Sequence, residues 1–444
     1  MNTTAIKNNT LGFILRFSIP AIIAMILTSF VSIVDGYFIS TTINKEALAA
    51  VNLGLPILYV FLAIGIMIGV GGSSIAGRRL GQQKKEQSIN GFNQTLVTAL
   101  TALALLAIIS FIAVRPILQL TNLNEFTKTT MWQYYKIMFW VYPFLTLNII
   151  FGMFLRTESK HSLFMLNTIV TTVLNIVLDY VFMVHFKLGV SGAAYSSAIA
   201  VIVGTLLMVM YFMNPKTLFK FSKYQFIKAD LVQTLANGSS EFIGQLALSV
   251  TMFFLNLVIL KRMGLIGIAA MTIIGYSRYV FEMIVIGFGQ GISPMISYHY
   301  GAKETELCSK IRSYTSKIVL VVGLIFFVLV MFAGKHYARI FTSDEALVNL
   351  VMAGFKLFAY SFIVTGFNII SSFFFTAIGF AKESALISAM RGLVLLTINI
   401  ILLPMLFGEN GIWLIATATE LGTLLIAYIL LNKSKQRIEK AAVA

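Results

Sequence analysis

SIPAIIAMILTSFVSIVDGYFIS, residues 18–40, is a long apolar stretch with one proline, Pro20, near its start and one carboxylate, Asp35, near its end. As a helix rising ~1.5 Å per residue it crosses the ~30 Å hydrocarbon layer of a bilayer. An ionised side chain within that layer costs from a few to more than ~10 kcal/mol, so Asp35 marks a functional position unless it merely ends the helix at the interface. Thr28, Ser32 and Asp35 fall at i, i+4 and i+7, so one polar stripe faces protein or water rather than lipid.

The whole chain is of this kind. Of 444 residues, 58% are hydrophobic and 11% charged, less than half the ~25% charged residues of a soluble protein. Long apolar runs, rather than short alternating segments, predict an all-α polytopic membrane protein and exclude a β-barrel. Residues 1–10 are polar and no small-residue cleavage site follows, so the first helix is expected to be its own insertion signal. The net charge of +16 lies in the connections between apolar runs, which argues against a nucleic-acid partner. A single cysteine, Cys308, allows no intrachain disulfide.

Runs of spanning length occur at about 12–39, 48–76, 93–114, 131–155, 162–186, 190–213, 233–260, 267–299, 313–334, 349–378, 385–408 and 411–432, predicting twelve transmembrane helices. With the termini and even-numbered connections on one side, Lys and Arg divide 21 to 8 in favour of that side. Both termini are thereby expected in the cytoplasm, in a multi-pass protein of the cytoplasmic (inner) membrane.

A shift of 220 residues lays EALAAVNL (46–53) on IGIAAMTI (266–273) and GVGGSSIAGRRLGQQ (69–83) on GQGISPMISYHYGAK (289–303). Asn148-Ile-Ile likewise falls on Asn368-Ile-Ile, and Gly192 on Gly411 at a shift of 219. Two six-helix lobes in parallel orientation follow, related by a pseudo-two-fold along the membrane normal, a transporter architecture. The expected division is an N-lobe at 1–213, a polar, lysine-rich cytoplasmic linker at 214–232 and a C-lobe at 233–444.

Span five places Thr168, Thr172, Asn175 and Asp179 on one stripe. Asp179 sits ~26 Å along its helix and Asp35 is similarly late in its own, so both carboxylates reach the outer half at like depth. Two readings stand: a coupling-ion site that takes up a proton or holds Na+ among Asp35, Asn175 and Asp179, or a structural hydrogen-bonded pair. In the second lobe the position equivalent to Asp35 is Leu255, and the intramembrane charges are Glu241, Arg278, Glu282, Arg391 and Glu420. Arg278 and Glu282, at i and i+4, are placed to neutralise one another, and Arg391, a turn or two inside its span, to snorkel. Glu241 reads either as a substrate contact or as a helix N-terminal charge. Thr28, Ser32, Glu241 and Glu282 are the candidate substrate contacts, and the many Phe and Met residues suit an adaptable apolar cavity. No HExxH, CxxC or P-loop is present and the four histidines are scattered, so no catalytic residues, cofactor or ATP-driven pumping are expected.

Pro20 with Asp35, ALAAVNLGLP (47–56), LNIVLDYVF (174–182), GVSGAAYSS (189–197) and GISPMISYHYGAK (291–303) together resemble the multidrug-and-toxin-extrusion (MATE) antiporters. GSSEFI (238–243) and GENGIWLIATATE (408–420) look most like the MepA-like branch. The resemblance covers essentially the whole chain. It implies two six-helix lobes forming a V and drug efflux driven by inward protons or sodium. Asp35 matches the family's acid on the first helix, Asn175 and Asp179 its Asn-x-x-x-Asp on the fifth, Ser197 a contributing hydroxyl on the sixth, and Pro20 the proline at which the first helix is proposed to bend. Span ten carries no Asp or Glu, so another branch's acidic C-lobe cation site has no counterpart. The expected function is a monomeric secondary antiporter, surrounded by membrane lipids, exporting amphipathic and often cationic organic compounds. The alternatives are a lipid-linked oligosaccharide flippase and, in another class, an integral membrane lipid-modifying enzyme.

Overall fold

In a computed structural model that describes residues 3–443, and all of their side chains except those of 248–250, 252, 253 and 439–443, apolar helices follow one another from end to end. After a short N-terminal helix, Thr3–Asn8, the first spans are α1 (Thr10–Thr42), α2 (Lys45–Gly81), α3 (Lys85–Leu120), α4 (Glu125–Thr157), α5 (His161–His185) and α6 (Val190–Met213). The second set is α7 (228–263), α8 (265–301), α9 (Thr305–Phe341), α10 (345–378), α11 (381–407) and α12 (409–443). Helical hydrogen bonding runs almost unbroken from α7 to α8 and from α11 to α12. The turns between them are made at single glycines, Gly264 (φ 66°, ψ −160°) and Gly408 (φ 59°, ψ −134°), in a region closed to other residues. The described residues thus form the twelve apolar helices expected, and among them there is no strand.

The repeat is written into the backbone. The left-handed residues Gln83, Ser159 and Gly189 of the first half recur as Lys303, Gly379 and Gly408, at shifts of 220, 220 and 219. The tight turns around them match as well: Lys84 N donates to Arg79 O as Glu304 N does to His299 O, and Lys160 N to Leu155 O as Phe380 N does to Phe375 O. Asn124 caps α4 by accepting from Thr127 N, and its counterpart Asp344 caps α10 by accepting from Ala346 N.

By packing, the helices form two compact units, one from Ile23–Gly238 and the other from Met1–Ile22 with Ser239–Ala444. On the first helix the boundary falls just after Pro20, which cannot donate the hydrogen bond to the carbonyl four residues back. In the first unit α2 is held very close to its neighbours. A Cβ added at Gly65 or Gly72 would lie 1.8 Å from Thr146 Cγ2 or 2.1 Å from Thr95 Oγ1, a small-residue face that lets helices approach without a hydrophobic drive. In the second unit Phe281, Phe326 and Phe362 pack ring on ring, and Trp413 lies fully buried against Gly354. On the outside, apolar side chains such as Leu105, Ile112, Phe332 and Leu425 stand exposed, as a hydrocarbon surround requires.

Candidate functional site

The span-five stripe is a buried face: Thr168, Thr172, Asn175 and Asp179 are all in the interior, and Asp179 is 0% exposed. Asp179 stands at the last α-helical position of its span, and the next turn, Tyr180–His185, widens to π-helical bonding. Such bulges are frequent at functional positions. Gly189 then reverses the chain into α6, whose first turns carry Ser196 and Ser197 back beside the carboxylate.

Ser196 Oγ donates a short hydrogen bond to Asp179 Oδ1. Asn175 Nδ2 donates to Ser197 Oγ at 3.3 Å, and Ser197 Oγ lies 3.4 Å from Asp35 Oδ2, so a chain of polar groups joins α5, α6 and α1. The Asp35 and Asp179 carboxyls are near neighbours in this group, close enough for each charge to act on the other. Three buried acceptors in this group have no donor: Asp35 Oδ1, Asp179 Oδ2 and Asn175 Oδ1. Lys and Arg make no ion pair with either carboxylate among the described residues. Unpaired acceptors in a low-dielectric interior are costly until a cation reaches them. A proton shared between the carboxyls, or a small hard cation among three oxygens, is the chemistry this set can bind. No cluster of three His, Cys, Asp or Glu suited to a metal occurs among the described residues.

The structure adds two residues. Ser196 holds Asp179 directly, whereas the family pattern pointed to its neighbour Ser197. Tyr134, buried on α4, lies near enough to both Asp35 and Asp179 for their charges to act on it. Neither had a sequence signal beyond its place in a run of small or aromatic residues. Thr28 and Ser32 are exposed, and the Thr28 hydroxyl donates to its own helix at Ala24 O, so neither joins the Asp35 group.

The second unit handles charge differently. Arg278 pairs with Glu282 as the i, i+4 spacing predicts, at 3.1 Å. Arg391 does not snorkel: its Nη2 binds the same Glu282 Oε1 at 2.5 Å and its Nε binds Glu420 Oε1 at 2.8 Å. A second π-helical turn, Met390–Val394, presents it there, and Glu420 also accepts from Asn368 Nδ2 at 2.7 Å. Two guanidiniums and two carboxylates in mutual contact are electrically neutral. Glu282 is therefore already compensated by two cations, and it offers no net charge to a cationic ligand. Glu241 forms no hydrogen bond or ion pair with any described side chain.

Helical spans repeated at 220 residues, with an unpaired acid pair in the first unit, define a membrane protein of the secondary-transporter type. The MatE family profile matches residues 20–181 and 242–405, and the chain belongs to that family. It is 26% identical over 443 residues to the multidrug export protein MepA of Staphylococcus saprophyticus, covering 98% of this chain and 97% of that one. It is 25% identical over 438 residues to MepA of Staphylococcus aureus, covering 96% and 95%. Among solved structures, a MATE protein crystallised with MaL6 matches with a TM-score of 0.91 at 22% identity, over 97% of both chains. A Pyrococcus furiosus transporter of the MOP superfamily matches with a TM-score of 0.88 at 23% identity, over 97% of this chain and 96% of that one.

Proposed function

We propose that this protein is a secondary multidrug efflux antiporter of the cytoplasmic membrane that exchanges amphipathic, often cationic organic compounds for inward H+ or Na+. The observation that carries the reading is the set of three buried, unpaired acceptors on Asp35, Asp179 and Asn175, held by Ser196 and Ser197 and lacking any protein cation. The export function follows the multidrug export proteins to which the chain is similar over nearly its full length. Protonation or Na+ binding at Asp35, Asn175, Asp179 and Ser197 stabilises one conformation of the unit, drug binding favours another, and that difference is sufficient for coupling. Pro20 is the point at which the first helix bends, consistent with the packing boundary two residues beyond it. Glu241, uncompensated by any described cation, is the C-lobe carboxylate that meets a cationic drug. Both termini lie in the cytoplasm in this reading, which the excess of Lys and Arg on that side of the spans supports. The lobes are those of the repeat, with 214–232 linking them, and the chain acts as a monomer with no cofactor and no catalytic step. A flippase for pyrophosphate-linked lipids needs free cations along its path, but Arg278 and Arg391 are both engaged by carboxylates.

The test is dye efflux from vesicles under an imposed pH gradient and, separately, a sodium gradient, with Asp35→Asn and Asp179→Asn. Loss of gradient-driven export in both variants, with dye binding retained, is expected. Unchanged export in both would overturn the ion-site assignment.

A further inference from the structure

Residues 214–227, between α6 and α7, have no regular structure, yet side chains hydrogen-bond their backbone at several points along the segment. Glu158 accepts from Phe219 N at 2.6 Å, and Asn93 donates to Lys220 O and accepts from Ser222 N. Asn90 exchanges the same two bonds with Gln225, and Gln94 with Ile227. Phe219 is sunk among Phe92 and Phe154, with ring centroids 5.4 and 5.1 Å away, and the far end is closed by a bidentate Arg79–Asp230 pair. This segment is strapped to the protein, and at Phe219, Lys220, Ser222, Gln225 and Ile227 protein side chains take the place of water on its peptide groups. An irregular backbone can lie in the poorly hydrated edge of a bilayer only on that condition.

Its height and its side are fixed by α3. Asn90, Asn93 and Gln94 stand in the first turns of that helix, where the apolar span begins. They start the stripe that continues through Val97, Thr101, Leu105, Ile108 and Ile112, all exposed, and hence facing lipid. Met210 and Met213, at the end of α6, are exposed at 67% and 66% immediately before the strap. The strap therefore runs along the lipid perimeter at headgroup depth. From Asn214 to Lys228 it contains no acidic residue, and Lys216, Lys220, Lys223 and Lys228 are all exposed and in no ion pair among the described residues. Interleaved with them, Phe221, Phe226 and Ile227 are exposed, Phe226 at 62%. Cations alternating with apolar anchors on a rigid backbone fit a surface that is anionic outside and hydrocarbon just beneath.

We infer that the strap, residues 216–228, is a binding site for anionic phospholipid headgroups of the adjoining leaflet. The lysines hold the phosphodiester and headgroup charge, and Phe226 with Phe221 enters the acyl boundary. The site is independent of the transport reading, because it uses none of the intramembrane acids.

Equilibrium binding of a tail-labelled phosphatidylglycerol to the detergent-purified full chain tests it, with competition by unlabelled phosphatidylglycerol, phosphatidylcholine or inorganic phosphate. Only phosphatidylglycerol is expected to compete. Polybasic segments gain about 1 kcal/mol per lysine near an anionic surface, so the combined Lys220→Gln, Lys223→Gln and Lys228→Gln variant should bind about 100-fold more weakly at low salt. Its thermal midpoint without lipid should match that of the unaltered chain. Phe226→Ser should weaken binding several-fold with little change in salt dependence. Equal binding by the triple variant, or equal competition by phosphatidylcholine, would overturn the proposal. Competition by inorganic phosphate at similar concentration would show an anion site rather than a lipid site.

Discussion

Arg391→Met probes how the second unit tolerates charge inside the membrane. The guanidinium bridges Glu282 and Glu420 at 2.5 and 2.8 Å, and the Glu420 side chain is only 4% exposed. With Arg391 gone, Glu282 keeps Arg278, but Glu420 keeps only the Asn368 amide. The neutral cluster acquires a net charge of about −1 in a poorly solvated place. Breaking a buried ion pair by removing one partner costs about 3–5 kcal/mol, and because Arg391 is one-quarter exposed and Glu282 retains a cation, the low end, about 3 kcal/mol, applies. For a unit of this size each kcal/mol shifts the thermal midpoint by ~2–4 °C, so a drop of ~6–12 °C is expected. The measurement is tryptophan fluorescence on the purified full chain in detergent at one scan rate, with Trp413 as the buried reporter in this unit. Adding Glu420→Gln restores neutrality and should recover most of the loss, a coupling of about 2 kcal/mol in the double-mutant cycle. An unchanged midpoint in Arg391→Met, or simple addition of the two losses in the double variant, would refute the charge-balance argument.

Three further outcomes follow from close packing and from the strap. A Cβ at Gly71 would lie 2.0 Å from the Thr234 carbonyl oxygen, so Gly71→Ala must separate α2 from the start of α7 and should cost about 1–3 kcal/mol. Gly275→Ala, with nothing within 4 Å of the new Cβ, should instead raise the thermal midpoint by a few °C, because alanine is favoured over glycine in a helix interior by about 0.5–1 kcal/mol. Burial raises the Glu158 carboxyl above its ordinary value of 4.5, although the Phe219 N–H, the Tyr211 hydroxyl and Lys160 oppose the rise. The folded chain then holds that proton more tightly than the unfolded chain does. This contribution to stability is full below about pH 4.5 and is lost as pH rises through the folded-state value. Glu158→Gln should remove that part of the pH dependence, read as thermal midpoint against pH. A pH profile parallel to that of the unaltered chain would contradict it.

Much of the architecture was legible because the bilayer is an exacting solvent. Every span must satisfy its own backbone, so span number and length show directly in runs of apolar residues. The stripe from Thr168 to Asp179 was legible for the same reason: polar groups at helical spacing in hydrocarbon can only face inward, and all four are buried. Local pairing was legible at Arg278 and Glu282, four residues apart on one helix. What failed was the expectation that Arg391 snorkels, because its partners lie on two other helices. Arg391 stood 109 positions from Glu282 and 29 from Glu420, and periodicity carries no information on such distances. Thr28 and Ser32 share a stripe with Asp35 yet remain exposed, since a stripe fixes direction from the helix axis and not what meets it along its length.

The sequence by itself determined a twelve-span helical membrane protein, its repeat at 220 residues, and an acid on each of the first and fifth helices. All of these follow from hydropathy and helical period, which are properties of the chain read along its own axis. Tertiary structure alone decided which charges are compensated across helices and which are left without a cation. It left Asp35 and Asp179 with hydroxyls and unfilled acceptors and gave Glu282 and Glu420 arginines. It also tied the strap to α3 through three amide side chains. The two halves share a backbone but not a charge balance, because similar helices bring different side chains together.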